Sequence, residues 1–194
     1  RVRRDALDAG SPDDKRRLDA GGTGVTAYAE AVGVYFGLAM SRFADRNNSL
    51  CTWDSGPTGT KASTGGSART ASIRNLFSRQ AIPMAWDYAE ANPFSDSGGS
   101  YASAADWIVP AVKALNGTIK SYARSADAAQ QVVSLGKVVS TDPPYYDNIG
   151  YADLSDFFYV WVRRTLKTTL PELFATIAVP KAEELVATPY RHGG

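Results

Sequence analysis

The chain is poor in the residues that bind metals and make crosslinks. Among its 194 residues there is one cysteine, Cys51, and one histidine, His192. A single thiol excludes an internal disulfide and a cysteine-based zinc site. A single imidazole excludes a multi-histidine metal centre. Charge of one sign is also missing: 21 basic residues stand against 20 acidic ones, a net charge of +1. The chain therefore lacks the overall basic excess of a non-specific nucleic-acid binder, and any such contact must come from a local patch. No apolar run reaches the roughly 18 residues needed to span a bilayer. No secretory signal is visible, so the Asn-x-Ser/Thr triplets at Asn47 and Asn116 read as accidents and a cytoplasmic location is expected. No internal repeat is present. The first residue is Arg1 rather than an initiator methionine, which is expected of a segment of a longer protein. What is there is ordinary: 44% hydrophobic and 21% charged residues, enough for a domain with a real core and no membrane partner.

Residues 1–24 form a charged, then glycine-rich N-terminal segment in which 13–19 is expected to make a short helical turn. The run Gly21, Gly22, Thr23, Gly24 has no preceding strand and no following Gly-Lys-Ser/Thr, so it reads as a joint rather than a phosphate loop. Residues 25–117 are expected to be mainly helical, with glycine- and serine-rich loops. Val25, Ala29, Val32, Phe36, Met40 and Phe43 recur at spacings of three and four, which predicts a helix over 25–45. Gly33 and Gly37 each weaken that helix by about 1 kcal/mol relative to alanine, and their spacing suggests one close-packing groove. Residues 50–54 read as extended. The loop at 55–72 carries Lys61 and Arg69. Further helices are expected at 73–80, 84–91 and 107–115.

In residues 118–194 the pattern changes. Alternation at 118–123 and the apolar centre Val138–Val139 predict strands at 118–123 and 137–141, flanking a short helix at 126–135, as in part of an α/β sheet. Leu154, Phe157, Phe158, Trp161, Val162 and Leu166 share one face and predict a helix over 154–170. Between the second strand and that helix stands Asp142, Pro143, Pro144, Tyr145. By ordinary residue usage such a string arises by chance in roughly one chain in a thousand of this size.

This DPPY tetrapeptide resembles the catalytic loop of amino-methyltransferases, which move a methyl group from S-adenosylmethionine to an exocyclic base nitrogen. The chemistry suits the residues. An exocyclic amine is a poor nucleophile because its lone pair is conjugated into the ring. The Asp142 carboxylate and the Pro143 carbonyl are acceptors for its N–H groups, and two consecutive prolines stiffen the loop. Tyr145 can stack on a base taken out of its duplex, with Tyr146 as a second aromatic. The loop follows the carboxyl end of a predicted strand, where open α/β sheets bind ligands. The competing reading is a proline turn after a strand with rim tyrosines.

Longer stretches extend the resemblance. The run STDPPYYDNIGYADLSDFFYVWVRR over 140–164 and the run PKAEELVATPYRHGG over 180–194 closely resemble the DUF1156-type adenine-specific DNA methylases. So do AYAEAV at 27–32 and RQAIPMAWDYAEANPF at 79–94. The resemblance implies an α/β architecture, a partial Rossmann-like methyltransferase fold with a large helical portion, residues 118–194 being part of its core. It implies S-adenosylmethionine as methyl donor, DNA as partner with adenine N6 as target, and Asp142, Pro143, Pro144 and Tyr145 as the catalytic loop. Tyr146, Asn148, Arg163 and Arg164 are the accompanying candidates for substrate binding. Some relatives belong to anti-phage defence, which makes defence proteins or a second copy candidate partners. One departure matters: the donor-binding Asp-Pro-Phe-x-Gly-x-Gly loop is missing from the chain. A non-catalytic nucleic-acid-binding or assembly module with a relic loop is therefore the alternative.

Two other clusters have two readings each. Arg163, Arg164 and Lys167 make either phosphate contacts or a solvated helix face. Asp87 and Glu90, three apart on an expected helix, make either an acid/base pair or a surface face. Arg79 and Asn92 lie in the same family-like stretch and are candidates for facing substrate. Cys51 is expected to be buried and structural.

Overall fold

The computed structural model describes residues 1–56, 71–115, 117, 126–143, 145–147 and 149–192. The expected strand at 118–123 lies outside the described residues, as do most of the loop at 55–72, with Lys61 and Arg69, and the two site candidates Pro144 and Asn148.

Two long helices form the hub. α2 spans Val25–Ala44 and α5 spans Tyr151–Leu166, close to the predicted 25–45 and 154–170. They pack on each other more extensively than any other pair of elements. The contact is close because α2 turns small residues inward: Ala27, Gly37, Ala39 and Ala44 are buried. A Cβ built at Gly37 would lie 2.6 Å from Leu166 Cδ2 and 2.9 Å from its Cγ, so the Leu166 side chain occupies the space a larger residue would need. Gly33 meets nothing within 4 Å; only Gly37 performs the packing role expected of both. The expected stripe is shifted as well, since Phe36 is exposed.

The N-terminus of α2 has no capping side chain of its own, because Gly24 stands at the cap position. Upstream carboxylates supply acceptors, Asp13 for the helix itself and Asp14 for the residues just before it. Asp13 accepts from the Thr26 amide (3.0 Å) and hydroxyl (2.8 Å). Asp14 accepts from the Thr23 amide at 2.9 Å. Helix N-termini leave unpaired amides that such groups satisfy. The Thr26 bonds hold the Asp13 carboxyl at about 2, well below its ordinary 3.8. No helix forms at 13–19; α1 lies earlier, at Val2–Asp8.

Beyond α2, Asp45 organises the chain. Its carboxylate accepts from Asn75 Nδ2 (2.8 Å) and the Phe77 amide (3.0 Å), and its carbonyl accepts from the Leu76 amide (2.8 Å). Leu76 and Cys51 are buried there, and burial pushes the Cys51 thiol up. Strand β1 (Thr52–Asp54) pairs antiparallel with β2 (Ser72–Arg74), Trp53 opposite Ile73. The expected helix at 73–80 is therefore not formed: Ile73 is β-branched and pairs in a ladder, and Asp45 ties down the residues after it. Phe77 then packs on Phe157 and Phe158 of α5, at centroid distances of 5.7 and 4.9 Å.

α3 (Tyr101–Asp106) is capped by Ser100, whose Oγ accepts from the Ser103 amide at 3.1 Å. α4 (Ile108–Ala114) follows and matches the helix expected at 107–115. Residues 84–91 and 126–135 are not helical. Helices this short are marginal in water unless packing supports them. Here the apolar side chains Met84, Trp86, Tyr88, Val132 and Leu135 are exposed. Residues 137–141 form no strand either, because a strand needs a neighbour for its N–H and C=O groups. Among the described residues the two-stranded β1–β2 ribbon is the sheet present. The chain exposes 14564 Å², against roughly 9,000 Å² for a compact monomer of this size.

Candidate functional site

Asp142, Pro143, Tyr145 and Tyr146 are exposed, as is the stretch that leads to them. Val138 is 101% exposed, Tyr145 74% and Tyr146 76%. Tyr146 adopts φ 49°, a left-handed backbone that costs a non-glycine residue about 1–3 kcal/mol and persists when its surroundings enforce it. The enforcing contact comes from the C-terminal segment: the Ala187 amide donates to the Tyr146 carbonyl at 3.1 Å.

Asp142, Pro143 and Tyr145 line one cleft of about 590 Å³ together with Gln80, Tyr151, Glu184, Leu185 and Val186. Its volume falls within the ordinary range of small-molecule sites. Four separate parts of the chain meet there: the turn after β2, the loop itself, the first residue of α5 and the C-terminal segment. Tyr151 adds a second aromatic ring and Gln80 an amide with both donor and acceptor character. Glu184 adds a carboxylate whose Oε1 accepts from the Ala152 amide at 2.8 Å.

Sequence reasoning did not single out Gln80, Tyr151 or Glu184. All three fall inside the runs at 79–94, 140–164 and 180–194 on which the expected resemblance rests, and that was the signal from which they could have been found. The basic candidates sit elsewhere. Arg163 and Arg164 lie in the last turn of α5, twelve residues from Tyr151 and so about 18 Å along the helix axis from the cleft. Arg163 Nε donates to the Thr176 carbonyl at 2.7 Å, so part of its guanidinium holds the following segment. Arg164 and Lys167 are exposed.

Asp87 and Glu90 do not share a helix face. Asp87 accepts from the Trp53 amide at 3.2 Å and braces the hairpin. Glu90 lines a second, smaller cleft of about 250 Å³ with Asn47, Asn48 and Tyr88. Asn92 folds back onto the Phe94 amide at 2.9 Å, and Arg79 is exposed beside the cleft residue Gln80.

No group of three or more histidine, cysteine, aspartate or glutamate side chains with metal-binding geometry occurs among the described residues. No helix among them is long and apolar enough to cross a membrane. The cleft brings together a carboxylate, an amide and two tyrosine rings, at Asp142, Gln80, Tyr145 and Tyr151. It does not fit the methyl donor, whose carboxylate and ribose call for a glycine-rich turn between a strand and a helix. No such unit is found among the described residues. Comparison of the chain with protein-family models, with characterised proteins and with solved structures finds no match.

Proposed function

We propose that this chain carries the target-base half of a DNA adenine-N6 methyltransferase dependent on S-adenosylmethionine. The observation that supports it is the convergence of Asp142, Pro143 and Tyr145 on one cleft with a second ring, Tyr151. A base turned out of its duplex would lie against Tyr145, and base–aromatic stacking contributes about 1–3 kcal/mol. The Asp142 carboxylate and the Pro143 carbonyl accept hydrogen bonds from the exocyclic amine. That draws its lone pair out of conjugation and stabilises positive charge as it develops. On this reading Asp142 also receives the proton that the amine must lose. Adenine rather than cytosine as the target follows from the family resemblance alone.

Arg163 and Arg164, about 18 Å from the cleft along α5, would meet phosphates about five nucleotides away at 3.4 Å per step. The cellular setting on this reading is the cytoplasm, with DNA as partner and a second copy or defence proteins as further ones. The test is Asp142→Ala in the full-length enzyme, with N6-methyladenine in DNA measured by mass spectrometry. Loss of the modified base is expected; an unchanged level removes the assignment.

The second reading is a nucleic-acid-binding or assembly module that retains a relic loop, favoured by the missing Asp-Pro-Phe-x-Gly-x-Gly loop. Calorimetric titration of the full-length protein with S-adenosylmethionine separates the two, since heat of binding supports the enzyme and its absence the module.

A further inference from the structure

The C-terminal segment touches the target-base loop at one point and is itself fastened at another. The contact is the Ala187 amide on the Tyr146 carbonyl, at 3.1 Å. Val186 beside it is buried, at 2% exposure, and Thr188 is buried as well. The fastening is a network at the start of α5. Glu184 Oε1 accepts from the Ala152 amide at 2.8 Å, and Glu184 Oε2 accepts from Arg191 Nη1 at 3.0 Å. Arg191 Nη2 bonds the Asp153 carboxylate, and the Tyr190 hydroxyl donates to Asp153 Oδ2 at 3.1 Å. The Glu184 and Arg191 side chains are only 13% and 14% exposed.

We propose that residues 184–191 are a strap that sets the target-base loop, with Glu184 as its positioning residue. Both Glu184 oxygens are engaged by Ala152 and Arg191, so Glu184 acts through the strap rather than on a bound base. Its carboxylate joins two elements: the first turn of α5, which carries Tyr151, and the strap, which carries the Ala187 amide. Fixing that amide fixes the left-handed turn at Tyr146, and the turn sets where Asp142 and Tyr145 point. The catalytic consequence rests on the methyltransferase reading, whereas the mechanical one does not.

The experiment uses the full-length protein with Glu184→Ala and Glu184→Gln, read by amide hydrogen exchange over 142–147 and by steady-state methylation of DNA. In Glu184→Ala, exchange at 145–147 and 187 speeds up, and turnover falls about ten- to a hundredfold, as small misplacements of reacting groups do. KM for DNA stays within about twofold, the signature of an interaction needed in the transition state rather than for binding. Glu184→Gln keeps an acceptor for the Ala152 amide and restores most of the turnover. Unchanged exchange at 145–147 in Glu184→Ala overturns the proposal, as does a loss carried wholly by KM, or a Glu184→Gln variant as damaged as the alanine.

If Glu184→Ala loses its thermal transition, Ala187→Pro removes the amide donor without touching the Glu184 network, fixing φ at residue 187 as it does so. Faster exchange over 145–147 in that variant supports the strap, and native-like exchange there overturns it. Wild-type protein that methylates no DNA, while Glu184→Ala still loosens the loop, sinks the methyltransferase reading and leaves the strap standing. Wild-type protein that methylates no faster than Glu184→Ala overturns the positioning role of Glu184 and leaves the methyltransferase reading standing.

Discussion

The hub of α2, α5 and residues 72–77 and the stretch 126–147 are built from similar apolar residues but end in opposite states. In the hub, Leu76, Ala39 and Leu166 are buried and Phe77 sits against two phenylalanines. In 126–147, Val132, Leu135, Val138 and Val139 all face solvent, and the DPPY residues stand at their end. The difference lies in the reach of the interactions. The hub's helices satisfy their own backbone groups and need only one close face, which Gly37 and Leu166 provide. A stretch such as 137–141, outside any helix, makes few backbone hydrogen bonds of its own and needs a neighbouring strand to pair the rest. Among the described residues, the end of this stretch is tied down by the Ala187 amide on the Tyr146 carbonyl, while Val138 and Val139 before it stay exposed.

Substitutions on the two α2 glycines break the comparison most directly. Gly37→Val drives a side chain into Leu166 and is expected to cost about 1–3 kcal/mol, the usual range for overpacking. Gly33→Ala, facing open space, is expected to stabilise the helix by about 0.5–1 kcal/mol. Thermal unfolding of both variants checks the pair, and equal effects would mean that the α2–α5 face is not where it is drawn.

Acid provides a smaller perturbation of the hub. Asp13 titrates lower in the folded chain, at about 2, than its ordinary 3.8. Its stabilising contribution is therefore complete above that ordinary value and is lost as pH falls toward 2. Asp13→Asn should be less stable than wild type at neutral pH, and the gap should close in acid. A gap that persists at pH 2 would argue against the Thr26 cap.

The smallest effect is expected in the exposed stretch. Val138→Lys should leave stability within about 0.5 kcal/mol, as surface changes do. A larger loss on chemical denaturation would show that Val138 is covered in solution and that the two regions differ less than they do here.

The same distinction explains what could be read from the sequence. The helices around Phe36 and Phe158 were legible because amphipathic periodicity is a local property. The short apolar runs at 73–80 and 84–91 were not, since their state depends on Asp45 and on the β1 partner, tens of residues away. Asp142, Pro143 and Tyr145 were legible as a motif. Gln80, Tyr151 and Glu184 join them through chain folding, since Gln80 and Glu184 lie tens of residues away in sequence. The α2 cap was hidden for the same reason: Asp13 lies twelve residues before the helix it serves.

Cys51 has a consequence for labelling. It is the chain's only thiol, fully buried against the Asp45 carbonyl, with its ionisation pushed up by that burial. Thiolate is the reactive form, so reagents reach it slowly. A cysteine introduced beside Tyr146 would then be the single fast-reacting position, and a fluorophore attached there would report the motions of the loop against a silent background.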